Sequence, residues 1–262
     1  MNQHSLSGLT VLITRPSNQA DSMRLAIESA GAKTLSLPLI EINRLNDAQA
    51  IQELRNKVLQ LDSYQSLIFV SNNAVSFGGE VINNYWPQFP IGIEVIAIGP
   101  TTAEAASEQL GCEVIQPSSG MTSEDILRLP ALSNVSDKKI AIVRGQGGRE
   151  LLADTLRERG AIVDYLEAYR RTPVDYTSVD FCNRLQKAAV NVLTVSSGES
   201  LDRLTHLLAA NGKMLQQFKL LVPSERIGLQ AKKAGYEQVK NASGADLLSF
   251  VSALGDLVIN QE

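Results

Sequence analysis

The polar chemistry of this chain is gathered in six short turns. They are Thr14-Arg15-Pro16-Ser17, Val70-Ser71-Asn72-Asn73-Ala74-Val75 and Ala97-Ile98-Gly99-Pro100-Thr101-Thr102-Ala103 in the first part of the chain. In the second part they are Val143-Arg144-Gly145-Gln146-Gly147-Gly148-Arg149-Glu150, Thr194-Val195-Ser196-Ser197-Gly198-Glu199-Ser200 and Val222-Pro223-Ser224-Glu225-Arg226. Each lies between an apolar run and an amphipathic stretch. Hydroxyls, glycine backbone and arginine at the start of a helix suit an anion, because the first N–H groups point outward and carry partial positive charge. Any single Ser, Thr or Asn has a plainer use as the cap of the helix that follows. Six such turns together indicate a large polar or polyanionic ligand.

Other chemistries lack their residues. The two histidines, His4 near the start and His206 late in a helical pattern, form no metal-binding spacing and read as surface residues. No GxGxxG follows the first strand and no GxxxxGK[ST] occurs; the glycine-rich run Arg144–Glu150 has the spacing of neither. No GxSxG elbow is present. The cysteines, Cys112 and Cys182, are far apart, which disfavours a disulfide scaffold or a zinc site and suggests a reducing cytoplasm. What remains is an enzyme without cofactor or metal and with weak side-chain catalysis, or a binding protein.

The elements that must hold these turns are legible. Across 262 residues, β-rich runs alternate with helical patterns. Strands are expected at Thr10–Thr14, Thr34–Leu37, Ser66–Val70, Glu94–Ile98, Cys112–Ile115, Lys139–Val143, Ile162–Leu166, Asn191–Val195, Lys219–Val222 and Glu237–Val239. A first helix is expected from the Arg15-Pro16-Ser17 turn to about Ala30. Further helices are expected at Thr101–Leu110, Arg149–Arg159, Glu199–Ala210 and Glu225–Ala234. This alternation implies an α/β fold with parallel sheets covered on both faces. The chain also repeats. An offset of 129 positions lays Val11–Pro16 on Ile140–Gly145 and Gly31-Ala32 on Gly160-Ala161. The offset then drifts to 125, with Val70-Ser71 on Val195-Ser196, and to 123, with Ile98–Thr102 on Leu221–Glu225. Ordered matches with a slowly drifting offset indicate a tandem duplication, hence two similar α/β lobes with a cleft between them. In such folds the turns after the strands face the ligand.

The residues carrying these patterns resemble the uroporphyrinogen-III synthase family over nearly the whole chain. The carriers are Thr14-Arg15-Pro16 with its helix, Leu67–Val75, Ala97–Ala106, Val143–Ala161, Tyr165–Pro173 and Val195–Leu201. The resemblance implies two flavodoxin-like lobes joined by a two-stranded connector, with residues 1–38 plus 174–262 in one lobe and 39–173 in the other. The connectors fall near 36–44 and 166–174. It implies closure of the linear tetrapyrrole hydroxymethylbilane to uroporphyrinogen III, with loss of water and inversion of ring D through a spiro intermediate. The substrate's pyrrole nitrogen already drives ionisation of its hydroxymethyl group, and the cation closes without protein at the wrong carbon. The protein's task is then selection of one conformer, which is positioning.

Carried over by motif, Tyr169 is the group expected to help the hydroxyl leave, since a phenol keeps its proton at neutral pH and can donate. Thr102, beside Thr101, and Ser71, beside Asn72, are expected to bind substrate, as are Ser196, Ser197 and Gly198. Ser224 is expected to do the same, although Glu225 next to it would repel a polyanion. Arg15 and Arg144, with Gly145, open equivalent helices and complete the expected binding set. The resemblance also makes the enzyme that supplies hydroxymethylbilane a candidate for transient docking.

Composition limits the partners. Twenty-four Lys and Arg against 28 Asp and Glu give a formal net charge of −4, which argues against nucleic acid. No apolar run approaches the roughly 18 residues of a membrane helix, and the opening residues lack the basic start of a secretory signal. A monomer is expected. A second reading is a non-catalytic bilobal module for an anionic small molecule, hinged at its connector. A third is a sugar-phosphate enzyme, which calls for a Glu–His arrangement that the two histidines do not supply. On the first reading, replacing both His4 and His206 by Ala leaves turnover close to unchanged. A large loss in a folded double variant would place a histidine in the chemistry.

Overall fold

The computed structural model describes residues 5–209 and 214–259; His4 lies outside the described residues. The chain forms two compact units, residues 1–41 with 172–262, and residues 42–171. Strands are numbered β1 to β11 and helices α1 to α12 along the chain.

The first unit is built on β1 (Thr10–Ile13), β2 (Lys33–Ser36), β9 (Val192–Thr194), β10 (Lys219–Val222) and β11 (Gln238–Asn241). Their spatial order is β11-β10-β9-β1-β2, and every pair is parallel. Side chains alternate across a strand, so Val11 and Ile13 face one side while Leu12 faces the other. Val11 and Ile13 pack with Met23 and Ile27 of α1 (Ser17–Ser29) and Phe250 and Leu254 of α12 (Leu247–Ile259). Leu12 packs with Phe181 of α8 (Ser178–Lys187), Leu204 of α9 (Gly198–Leu208) and Ile227 of α11 (Glu225–Lys233). Buried on both faces, the central strands β1, β9 and β10 read as near-continuous apolar runs, whereas the edge strands β2 and β11 are largely polar.

The second unit contains β4 (Ser66–Phe69), β5 (Glu94–Ala97), β6 (Val114–Ile115), β7 (Lys139–Gly145) and β8 (Ile162–Pro173), with β3 (Ile40–Arg44) at the sheet edge. The order is β3-β8-β7-β4-β5-β6. One face packs Phe69 and Val143 against Leu54 of α2 (Ala48–Val58) and Ala106 of α5 (Pro100–Leu110). The other packs Ile68 and Ile142 against Ile126 of α6 (Ser123–Leu127) and Leu156 of α7 (Leu151–Glu158).

Aligning the sequence repeat pairs β1 with β7, β2 with β8, β9 with β4, β10 with β5 and β11 with β6. On that pairing both sheets have one spatial order, β2-β1-β9-β10-β11 and β8-β7-β4-β5-β6. This is the doubly wound order in which the direction of winding reverses between two central strands. The reversal falls between β1 and β9 in one sheet and between β7 and β4 in the other.

Most expected elements differ by a residue or two at their ends, and two of the differences bear on the polar turns. The strand expected to end at Leu166 runs on to Pro173, because β7 pairs with it as far as Tyr169 and β3 is its neighbour on the other edge. The helix expected from Arg149 begins at Leu151, because Gly147 and Gly148 take positive φ (69° and 103°) and keep the chain out of helix. Among the described residues no helix is long and apolar enough to cross a membrane.

The first unit carries a pH-sensitive core group. Tyr236 is buried among the α9 and α11 side chains, and its hydroxyl pairs with Thr205 Oγ1 at 3.3 Å. Burial pushes its phenol up to about 12, with the Thr205 hydrogen bond opposing. An unfolded tyrosine ionises near pH 10. Above that pH the unfolded chain releases a proton the folded chain retains, so stability falls as pH rises from about 10 towards 12. Urea unfolding at pH 8 and pH 10.5 should show that fall, and Tyr236→Phe should make it shallower. An unchanged slope in the variant would remove Tyr236 from the alkaline transition.

Candidate functional site

A connected polar arrangement lies at the carboxyl end of the β7–β4 pair, and it depends on one irregularity. Along β8 the register runs Leu166 opposite Val143 and Glu167 opposite Arg144, then skips to Tyr169 opposite Gly145. Ala168 is the extra residue, a β-bulge, and such bulges re-aim the side chains beyond them. Val163 belongs to the α6–α7 face, with Tyr165 packed against it, while Leu166 belongs to the opposite face. Strict alternation would return Tyr169 to the α6–α7 face. The bulge instead leaves both Ala168 and Tyr169 on the other side, with Phe69 and Val75.

Tyr169 is fully buried there. Its ring lies on Gly145, where an added Cβ would come within 2.5 Å of Cε2. Phe77 packs against it with ring centres 5.5 Å apart. Phe77 belongs to a π-helical turn, Val75–Gly79, set between α3 (Asn72–Ala74) and α4 (Glu80–Tyr85). The helical segment approaches the sheet closely here, since a Cβ on Gly78 would lie 2.3 Å from Val143 Cγ1. The backbone N–H of Gln146 donates to the Tyr169 carbonyl at 2.8 Å, which pins the bulged strand.

The Tyr169 hydroxyl meets Ser71 Oγ at 3.2 Å. Ser71 is half-buried and caps α3 by accepting from the Ala74 N–H at 3.1 Å. Next to it, exposed Asn72 accepts from Thr102 Oγ1 at 2.6 Å. One turn after β4 thus holds β8 through Ser71 and α5 through Asn72. Thr102 is buried and its hydroxyl is committed to Asn72, whereas Thr101 is exposed.

Arg144 turns inward. Its guanidinium donates to the carbonyls of Gly145 (3.3 Å), Arg149 (3.2 Å) and Gly147, and lies 3.6 Å from the Glu150 carboxylate. It also stacks on the Tyr165 ring at 4.6 Å. Tyr165 donates to Glu150, and burial followed by that carboxylate raises its pKa. The arginine folds the glycine-rich loop around itself.

In the first unit the β1–β9 edge is tied by two buried threonines. Thr14 Oγ1 donates to the Thr194 carbonyl and Thr194 Oγ1 to the Leu12 carbonyl, both at 2.7 Å. Ser197 caps α9 through a capping box with Ser200. Buried Ser200 Oγ accepts from the Ser196 and Ser197 N–H groups at 3.3 and 3.0 Å. Ser196, Ser197 and Gly198 are half-buried at this edge. Ser224 caps α11 by accepting from the Ile227 N–H at 3.5 Å, and Glu225 beside it is exposed. Arg15 donates to the Ala245 carbonyl and lies 5.4 Å from the centre of the Phe250 ring. Desolvation lowers its pKa, partly offset by Asp246, and its Nε is buried with no partner.

Sequence reasoning missed Thr14, Thr194, Ser200 and Phe77. Ser200 has a local signal, a hydroxyl three residues after the Ser197 cap. The two threonines act by pairing across 180 residues, which no local pattern reveals. His206 is exposed on α9. Among the described residues, no cluster of three or more His, Cys, Asp or Glu side chains has a metal-binding arrangement.

The family model for uroporphyrinogen-III synthase HemD matches residues 21–251. The Escherichia coli K12 uroporphyrinogen-III synthase is 33% identical over 251 residues, covering 94% of this chain and all of that protein. The Proteus mirabilis uroporphyrinogen-III synthase is 36% identical over 196 residues, covering 75% and 97%. In structure, a mutant uroporphyrinogen III synthase from the extremely thermophilic bacterium Thermus thermophilus aligns with a TM-score of 0.65 at 15% identity, covering 97% of this chain and 100% of that one. The Helicobacter pylori 26695 uroporphyrinogen-III synthetase aligns with a TM-score of 0.59 at 16% identity, covering 97% and 99%. These two structural matches show a common fold.

The Gly145–Tyr169 packing is directly testable. Gly145→Ala drives a methyl into the Tyr169 ring, and overpacking of this kind costs about 1–3 kcal/mol. Urea denaturation should show that loss, and pairing the change with Tyr169→Ala should relieve most of it. A Gly145→Ala protein as stable as the parent would show that the ring is not held by this contact.

Proposed function

This chain belongs to the uroporphyrinogen-III synthase family, and from that premise we propose how its residues perform the family's reaction. The reaction is cyclisation of hydroxymethylbilane to uroporphyrinogen III, a cyclising hydro-lyase step of tetrapyrrole biosynthesis. Water leaves from the hydroxymethyl carbon as the adjacent pyrrole nitrogen pushes electrons toward it. The substituted carbon of ring D then attacks to give a spiro intermediate, from which ring D emerges inverted.

The hydroxyl needs only a modest proton donor, and Tyr169 supplies it. The observation supporting this assignment is the phenol set at the carboxyl edge of its sheet and hydrogen-bonded to Ser71. The substrate's carboxylates are held in one unit by Arg15, Ser196, Ser197, Gly198 and Ser224. In the other they are held by Asn72, Thr101, Thr102, Arg144 and Gly145, while Ser71 meets the substrate beside the Tyr169 phenol. Arg15 and exposed Thr101 contact the ligand directly. Thr102 and Arg144 contribute through what they hold, the Asn72 amide and the loop backbone at Gly145–Arg149. Each helix start that faces a carboxylate adds about 0.3–1 kcal/mol, so several suffice to bind a polyanion to a chain of net charge −4. Metal and cofactor have no part in this scheme, and the donor of hydroxymethylbilane is its transient partner.

The test supplies freshly generated hydroxymethylbilane, oxidises the products and separates the uroporphyrin isomers. Type III should dominate with native protein and type I with boiled protein. Type I alone, at the spontaneous rate, from folded protein would overturn the reading in favour of a non-catalytic anion-binding module.

A further inference from the structure

The Tyr169 phenol has no surface of its own, yet the reaction requires its proton outside. Its relative exposure is 0%, with Gly145 against the ring edge and Phe77 packed on it. The polar atom that its hydroxyl meets is Ser71 Oγ, 3.2 Å away, and Ser71 is half-buried at the carboxyl end of β4. The Ser71 oxygen has two lone pairs and one proton. The Ala74 N–H occupies one lone pair at 3.1 Å. The second can accept the Tyr169 O–H, which leaves the serine proton as a donor to a third group.

The geometry points to Ser71 as the residue that touches the leaving hydroxyl, with Tyr169 behind it as a positioning residue and proton reserve. This rests on the reading that Tyr169 assists departure of the hydroxyl. As the hydroxymethyl C–O bond breaks, its electron pair leaves with oxygen. Ser71 gives that oxygen its proton, so water departs, and Ser71 takes the proton of Tyr169. The resulting phenolate is neutralised by the proton released when the last pyrrole regains aromaticity. Atoms and charge balance without another reactant. The capping bond from Ala74 fixes the serine rotamer, and the bulge at Ala168 fixes the phenol, so the two-step path is laid down before substrate binds.

Kinetics of Ser71→Ala, Ser71→Thr, Tyr169→Phe and the Ser71→Ala/Tyr169→Phe pair, with freshly generated hydroxymethylbilane, test this path. Either single removal should lower kcat by a similar factor, about 10²–10⁴, with KM little changed. The double variant should lose no more than either single one. Ser71→Thr keeps both cap and hydroxyl and should recover most of kcat. If Tyr169→Phe falls while Ser71→Ala turns over like the parent, the phenol reaches substrate directly; the relay is overturned and the role of Tyr169 stands. If Tyr169→Phe turns over like the parent, the role of Tyr169 falls and the relay with it. A Ser71→Thr protein as slow as Ser71→Ala, with a parental melting temperature, also overturns the relay. Should Ser71→Ala not fold, single-turnover rates of the parent in H2O–D2O mixtures decide. A curved dependence on deuterium fraction supports two protons in flight, and a linear one overturns the relay.

Discussion

One extra residue in β8 governs the arrangement of the second unit. Ala168 has no partner opposite it between the Arg144–Glu167 and Gly145–Tyr169 pairs. Without it, period-two alternation would send the Tyr169 ring to the face covered by α6 and α7, away from Ser71. With it, the ring turns to the face where the π-helical turn and α5 lie. Its neighbours then follow as consequences. Gly145 must lack a side chain because the ring occupies that space, and Phe77 closes on the ring from the π-helical turn. Ser71 meets the hydroxyl, and Asn72 extends the network to Thr102. A bulge sacrifices a regular ladder position, and here the Gln146 N–H restores a bond by donating to the Tyr169 carbonyl.

The duplication explains why comparable edges occur twice. Both sheets share one strand order once β1 is matched with β7, although the strands enter in a different chain order. In the first unit β1 and β2 open the chain and β9 to β11 return only after the second unit; in the second β4 to β6 come before β7 and β8. The winding reversal leaves the carboxyl ends of two adjacent strands uncovered by a crossover, which is where ligands of doubly wound sheets bind. The two edges have diverged in how they are held. The first is tied by the Thr14 and Thr194 hydroxyls donating to the Thr194 and Leu12 carbonyls and by the Ser197–Ser200 capping box, and the second by the Tyr169 and Thr102 side chains.

Much of this was legible in the sequence because short apolar runs ending in Ser, Thr, Asn or Gly have one physical use in an α/β fold. Lys219–Val222 is the strand its composition implies, and β1, β4, β5 and β9 differ from expectation by a residue or two at their ends. That the two sheets are alike also follows from the repeat, although their strand order is set by the pairing. What stayed hidden were effects of pairing. Nothing in Leu166-Glu167-Ala168-Tyr169 marks Ala168 as a bulge, since the register is set by β7. The inward turn of Arg144 depends on a loop whose carbonyls it gathers, and an arginine at a strand end looks the same whether it faces ligand or its own loop. Thr102 reads as a ligand contact until its hydroxyl is found committed to Asn72. The membership of Ser71 and Tyr169 in one network is a contact across 98 residues.

On the proposed reading the protein decides which carbon closes the ring by holding one conformer, while proton donation only sets the pace. Isomer analysis of the product formed by Tyr169→Phe above the spontaneous background tests this most directly. Slow formation of type III is the expected result, because the residues that hold the substrate are untouched. Type I formed faster than the spontaneous rate would contradict it, placing the choice of carbon in the phenol itself.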